Sequence, residues 1–310
     1  MIFIILLLLT FSVFLELDHR SKRKSPLVLK PRDFKTNISD SKHKYIALVE
    51  IINTNKKMEV MIPSFKVIPK LIGISNSDII NLKTKIKLFH PDEIEQENDY
   101  WTAYIVKGKK STKVQIEIEF EIENLIKNNL ECLWIDIEWV NYGPFGFFSK
   151  FDGFVLPNYL RRSKKKPLDK DLIIPIKTHI LGSLDDPIDV LKNYIPRDCQ
   201  STDILTIGET PLAIMQGRYI DFRSLNVSPL SKLICKGFHP TSSLASACGM
   251  QTLINIYGPT RILISWLIGA ILKLLGIKGI FYRLAGEQAR LIDDITGTTP
   301  PYDKNIVLGP

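Results

Sequence analysis

Between Thr202 and Arg218 the chain reads TDILTIGETPLAIMQGR: β-prone residues, a Gly208–Glu209–Thr210–Pro211 corner, a short apolar run and a closing Gly217–Arg218. Where a strand hands over to a helix, the first N–H groups are unpaired and the helix dipole is positive, which favours an anion. Gly208 would let a phosphate approach the backbone, and Arg218 carries a fork that grips phosphate or carboxylate through two parallel bonds. The plainer reading gives the corner to Gly208, the cap to Thr210 and the first helical position to Pro211. Farther on, HPTSSLASACGMQ (239–251) sets Thr241, Ser242, Ser243 and Ser246 ahead of a helix. It lacks the G-x-x-x-x-G-K-[ST] spacing of a P-loop. His239 and Cys248 are nine positions apart, and nothing in the sequence orients them as a base and nucleophile. Toward the end of the chain, Glu287, Asp293, Asp294 and Asp303 supply hard oxygen ligands of the kind Mg²⁺ or Mn²⁺ takes. Glu287 and Asp294 are seven apart, which predicts one helix face with Arg290 between them; an ion-paired, solvated face reads the same way.

These residues need elements to hold them. From about residue 44 to 157 the texture is β, in runs such as YIALVEIINTN, KTKIKLFHP and LECLWIDIEWVNYG separated by Asn, Gly, Pro and Lys clusters. Lys113 to Glu123 alternates cleanly, with Val114, Ile116, Ile118, Phe120 and Ile122 on one face and mainly glutamate on the other. This predicts a half-buried antiparallel strand in a β-sandwich, with Glu117, Glu119 and Glu121 on a solvated face rather than forming a catalytic row. The segment SKFDGFVLPNYLRRSKKKPLDKD marks a boundary, and the basic run within it suits either a linker or contact with anionic headgroups. After residue 170 strands and helices alternate: DLIIPIKTHIL and DILTIG as strands, LDDPIDVLKNYI as a helix capped by Asp186 with Pro187 first, and KNIVLGP as a last strand. The expected architecture is α+β overall: a β-sandwich-like domain at 44–157, then an α/β domain at 168–310.

The net charge of +8 is concentrated in HRSKRK (19–24) and RRSKKK (161–166), which hold nine basic residues. The remainder has no basic groove with interleaved aromatics, which argues against nucleic-acid binding. Four cysteines without a C-x-x-C spacing read as buried small hydrophobes, not a zinc site or a disulfide framework. The first fifteen residues, MIFIILLLLTFSVFL, carry no charge and span roughly 22 Å as a helix, with snorkelling to make up the difference from a bilayer core of about 30 Å. Basic residues follow rather than precede them, so residues 1–18 are expected to be a single-pass membrane anchor with the body in the cytoplasm. A second apolar run, 261–282, is interrupted by Lys273 and Lys278 and reads as a buried or membrane-surface helix rather than a span.

The corner and the tail together resemble the coenzyme F-420 γ-glutamyl ligases. In that family a Gly-Asp pair leads a strand and the following helix ends in Glu-Gly-Arg; Asp203, Gly217 and Arg218 match. AGEQARLIDDITGTTPPYDKNIVLGP resembles the family's late helix and strand, with Glu287 matching the glutamate of an Asp-Glu pair. Two positions differ: Ile214 stands where the family has a lysine, and Gln216 where it has an acid. The resemblance covers about 170–310 and implies a GTP-dependent (or other nucleoside triphosphate) ligase using Mg²⁺ or Mn²⁺, with a carboxylate-bearing small molecule as substrate. On this reading Arg218 and Glu209 are catalytic, and Gly208, Thr210, Gly217, Ser242 and Ser243 hold the nucleotide. Glu287, Asp294 and Asp303 hold the metal. A homodimer is compatible with the sequence. The alternative is a catalytically degenerate, membrane-tethered binding or scaffold protein, favoured by Ile214 and Gln216.

Overall fold

The computed structural model describes residues 2–21, 25–39, 41–92, 100–122, 129–158, 175–196, 199–298 and 300–310. The basic run at 161–166, the boundary segment from residue 159 onward, the first part of DLIIPIKTHIL and the end of HRSKRK lie outside these residues. The chain divides into two compact units, Met1–Leu156 and Pro157–Pro310.

The first unit opens with helix α1 (Ile2–Ser21), whose apolar part is Phe3–Leu17. Among the described residues no single helix is long and apolar enough to cross a membrane. Eight strands follow: β1 (Leu27–Ile38), β2 (Lys42–Asn53), β3 (Val60–Ile72), β4 (Ile79–Phe89), β5 (Tyr104–Val106), β6 (Ser111–Ile122), β7 (Cys132–Gly143) and β8 (Gly146–Pro157). They form two four-stranded sheets, β1-β2-β6-β4 and β5-β3-β7-β8, a β-sandwich-like arrangement. The alternation read in β6 is realised: Val114, Ile116, Ile118, Phe120 and Ile122 are buried. On the other face, Lys44 of β2 bridges Glu117 at 3.1 Å and Glu119 at 2.6 Å, and Lys42 meets Glu121 at 3.7 Å. The glutamate row is the anionic half of a cross-strand ion ladder. The sheet begins at Leu27, ahead of the expected start at 44, because β1 pairs with β2 from Leu27↔Asn53 to Ile38↔His43. β1 is an outer strand of its sheet, largely exposed along its length, so it lacks the alternation that marks β2 and β6.

The second unit is mainly helical: α2 (Pro187–Tyr194), α3 (Glu209–Met215), α4 (Pro229–Ile234), α5 (Ala247–Tyr257), α6 (Pro259–Leu274), α7 (Ile280–Ala285) and α8 (Gln288–Leu291). Its sheet is small and antiparallel, β10-β11-β9, with β9 at Tyr219–Asp221, β10 at Asp293–Asp294 and β11 at Asn305–Val307. The expected α/β alternation is therefore not found. Residues 203–208 and 175–182 form neither helix nor strand, and Ile204 is 88% exposed. β-branched composition makes a strand only where a neighbour supplies hydrogen bonds, and DILTIG has none among the described residues.

The caps follow the sequence more closely. Asp186 accepts from the N–H groups of Ile188 (2.8 Å) and Asp189 (3.1 Å) with Pro187 at the first position of α2. The run 261–282 is split into α6 and α7 by Gly276 and Gly279, both at positive φ, and α5 and α6 meet at a 116° bend at Gly258–Pro259. The core of this unit gathers Ile234, Leu244, Met250, Leu253, Ile262, Phe281 and Ile306. All four cysteines are free thiols; Cys132 and Cys235 are buried as expected, whereas Cys199 is exposed.

Candidate functional site

The two stretches that carried the chemical signal meet at β10. Thr210, in the first turn of α3, donates its hydroxyl to Asp293 Oδ2 at 2.8 Å across 83 positions of sequence. One residue on, Asp294 Oδ1 accepts from the hydroxyl (2.6 Å) and the N–H (3.2 Å) of Thr296, closing the turn that follows β10. Alternation along β10 sends the two carboxylates to opposite faces of the small sheet. Asp294 lies near Cys248, whose thiol is pushed up by burial and, to a smaller extent, by that carboxylate. The hydroxyl-rich stretch before α5 and the tail thus share one neighbourhood.

Sequence analysis placed Glu287 and Asp294 on one helix face, and the structure corrects this. Helix α8 is only four residues long, Ile292 leaves it in an extended conformation, and Asp293–Asp294 pair with Val307 and Ile306. The ladder to β11 outcompetes helix continuation. Glu287 is exposed ahead of α8, and Asp303 contributes its backbone carbonyl, which accepts from Gly297 N–H at 2.7 Å. Among the described residues no group of three or more His, Cys, Asp or Glu is placed to hold a metal. Glu287, Asp294 and Asp303 form no such group.

The corner at 208–211 is also plainer than its composition. Gly208 sits at φ −68° and ψ 149°, ordinary extended backbone, and a Cβ there would meet Pro211 Cδ at 3.2 Å. Gly217, at φ +67°, stops α3: its N–H bonds to Ile214 O and the Arg218 N–H to Ala213 O, both at 2.9 Å, a Schellman pair. The backbone then enters β9, and Arg218 O accepts from Leu308 N–H at 2.8 Å, tying the corner to the tail a second time. Glu209 and Arg218 are exposed. Ile214 is 8% exposed, a core residue of α3.

Ser242 and Ser243, expected to hold nucleotide, line a cavity of about 330 Å³ with Leu244, Tyr282, Ala289, Arg290 and Ile292. Their local roles are structural: Ser242 accepts from Leu244 N–H at 3.3 Å, and Ser243 O accepts from Ser246 Oγ at 3.2 Å. Ser246 caps α5 through Gly249 N–H at 2.8 Å. His239 pairs with Thr241 Oγ1 at 2.8 Å on an exposed turn.

Two buried polar features escaped sequence analysis. Asn305 is 0% exposed, and both polar atoms of its amide lack a hydrogen-bond partner among the described residues. It stands opposite Asp221, whose carboxylate is held by Arg223 at 2.6–3.1 Å. An asparagine at the head of the apolar run NIVLGP was the available signal. The second feature is a buried pair with a half-buried tyrosine beside a cavity of about 260 Å³: His179 Nε2 lies 3.1 Å from Asp185 Oδ1, and its Nδ1 lies 2.7 Å from Tyr194 Oη.

Removing the Thr210 hydroxyl should be felt at this junction. Thr210→Val is expected to lower stability by about 1–2 kcal/mol, because a hydrogen bond to a partly buried carboxylate is lost, while Thr210→Ser stays close to wild type. Urea titration of both variants checks this; equal midpoints for valine and threonine would show that the link contributes nothing.

Comparison with known proteins bears on the first unit. Residues 28–160 match the family model described as the F420-0:gamma-glutamyl ligase, N-terminal Ig-like domain. No curated protein sequence matches the chain. Similar solved structures include the GAE domain of GGA2p from Saccharomyces cerevisiae (12% identity, 44% of this chain and 95% of that one, TM-score 0.25). A second is the GAE domain of yeast GGA1 (8% identity, 44% and 96%, TM-score 0.24), and a third is a protein from Archaeoglobus fulgidus (9% identity, 42% and 99%, TM-score 0.20).

Proposed function

We propose that this chain is a ligase of the γ-glutamyl type that joins an amine to a carboxylate at a membrane surface, consuming a nucleoside triphosphate such as GTP. The observation that carries this reading is the match of residues 28–160 to the Ig-like domain of F420-0:gamma-glutamyl ligase. The joining of corner and tail through Thr210–Asp293 and Arg218–Leu308 supports it, since both resembling stretches then border one region. In the proposed reaction a carboxylate oxygen attacks the terminal phosphorus, releasing the nucleoside diphosphate. The amine nitrogen then attacks the acyl carbon, and inorganic phosphate leaves with the bonding pair. Arg218, exposed at the end of α3, would grip phosphate or carboxylate, and Glu209 would take the amine proton. Gly208, Thr210, Gly217, Ser242 and Ser243 form the proposed nucleotide surface. Mg²⁺ or Mn²⁺ enters only as the triphosphate's counter-ion. Helix α1 is the proposed anchor, with the body on the cytoplasmic side and a homodimer as the proposed assembly.

A second reading, a tethered binding protein without turnover, is favoured by one set of contacts. The Asp293 and Asp294 carboxylates are already engaged by Thr210 and Thr296, and buried Ile214 occupies the lysine position. Thermal unfolding with GTP or ATP plus Mg²⁺ separates the readings. A nucleotide at 100 times its Kd should add about 2.7 kcal/mol of stability, and Arg218→Ala should reduce that gain. Absence of any nucleotide-dependent shift would sink the ligase reading and leave the binding protein.

A further inference from the structure

Between Asp221 and Glu287 the sequence contains no acidic residue and seven Lys or Arg. Within this stretch α6 buries Ile262 and Ser265 on its inner side and leaves a second apolar stripe outside. Ile264, Leu267, Ile268, Ile271, Leu274 and Leu275 recur at the three- and four-residue spacing of one helix face, and Leu274 and Leu275 are 88% and 71% exposed. The turn at Gly276–Gly279 carries exposed Ile277, and Leu284 of α7 is exposed as well. A cavity of about 640 Å³ hollows this side, lined by Ile264, Ile268, Leu284 and Arg261 among others. Arg261 is fixed at its rim, donating from Nε to Leu284 O at 2.9 Å with its guanidinium carbon 4.9 Å from the centre of the Tyr257 ring. Lys273, Lys278 and Arg283 are the other exposed cations of α6, the turn and α7.

We propose that the outer face of α6 and the α6–α7 turn lies in the surface of an anionic phospholipid bilayer. An apolar patch of this size marks an interaction surface. Its chemistry selects the partner: aliphatic side chains enter the acyl boundary while lysine and arginine stems reach back to the headgroups, and no carboxylate in the stretch opposes an anionic leaflet. At 16 residues α6 spans about 24 Å, short of a bilayer core of about 30 Å, and Lys273 sits near its end, so the helix lies in the plane rather than across it. This attachment is separate from α1 and independent of the ligase reading.

The test uses the full chain in vesicles, with Cys199 and Cys248 replaced by serine. A nitroxide is placed at Leu274→Cys or, as a control on α2 of the same unit, at Lys192→Cys. In phosphatidylcholine vesicles containing phosphatidylserine, the 274 label becomes more accessible to oxygen than to a water-soluble nickel chelate, while the 192 label shows the reverse. Combined Lys273→Gln, Lys278→Gln and Arg283→Gln returns the 274 label to water, with the 192 spectrum unchanged as a report of intact folding. A 274 label that stays as aqueous as 192 in anionic vesicles overturns the proposal. So does spin–spin broadening at 274, which would assign the face to a second copy of the chain. Exclusion of both relaxants from 274 also overturns it, since the face would then be covered by protein.

Discussion

Gly286→Ala is expected to destabilise the second unit by about 3–5 kcal/mol. Gly286 sits at φ +115° and ψ 169°, a region that essentially only glycine occupies, at a cost of about 1–3 kcal/mol for another residue. A Cβ there would also lie 2.4 Å from Tyr257 Cζ, inside a ring that is not free to move. Tyr257 is held on two sides: its hydroxyl accepts from Gln288 N–H at 3.2 Å, and the Arg261 guanidinium rests against its ring. Overpacking against such a ring adds about 1–3 kcal/mol. The damage reaches the candidate site, because Gln288 opens α8 and its Oε1 accepts from Gly309 N–H at 2.9 Å, while Arg290 of α8 walls the cavity that holds Ser242 and Ser243. Urea unfolding followed by far-ultraviolet circular dichroism gives the number. A loss below about 1 kcal/mol would show that the chain does not take this conformation at Gly286.

The second large effect lies in the sandwich. Trp139 of β7 is 1% exposed, stands opposite Phe65 of β3, and has Lys150 Nζ 6.0 Å from its ring centre. Trp139→Ala should cost about 3–5 kcal/mol, from lost burial and the cavity left behind. Trp139→Phe should cost far less. The indole N–H is buried with no hydrogen-bond partner among the described residues, so removing it relieves a desolvated donor and offsets part of the lost volume. Guanidinium denaturation of the two variants is the check, and equal costs for alanine and phenylalanine would refute the packing argument.

The parts of the molecule legible in sequence are those set by near neighbours. The β6 pattern predicted which side chains point inward, because alternation of faces is a property of any strand half-covered by a core. Asp186 and Pro187 announced the start of α2, and Gly217 the stop of α3, because caps are satisfied within a few residues. The same locality misled at DILTIG, where β-prone residues form no strand, and at β1, whose exposed course hides its register.

The site shows the division most clearly. Sequence alone supplied the hydroxyls and carboxylates and the two stretches that carry them. It could not say that Asp293 would face Thr210 and Asp294 face away, since that requires β11 to pull the end of α8 into a strand. Nor could it bury Asn305 opposite Asp221, or separate Glu287 from Asp294. Residue type and spacing determine which elements can form and what chemistry they could carry. Which polar groups meet is decided by pairings across about 80 residues, whose hydrogen bonds and packing outweigh the weak helix preference of a four-residue turn.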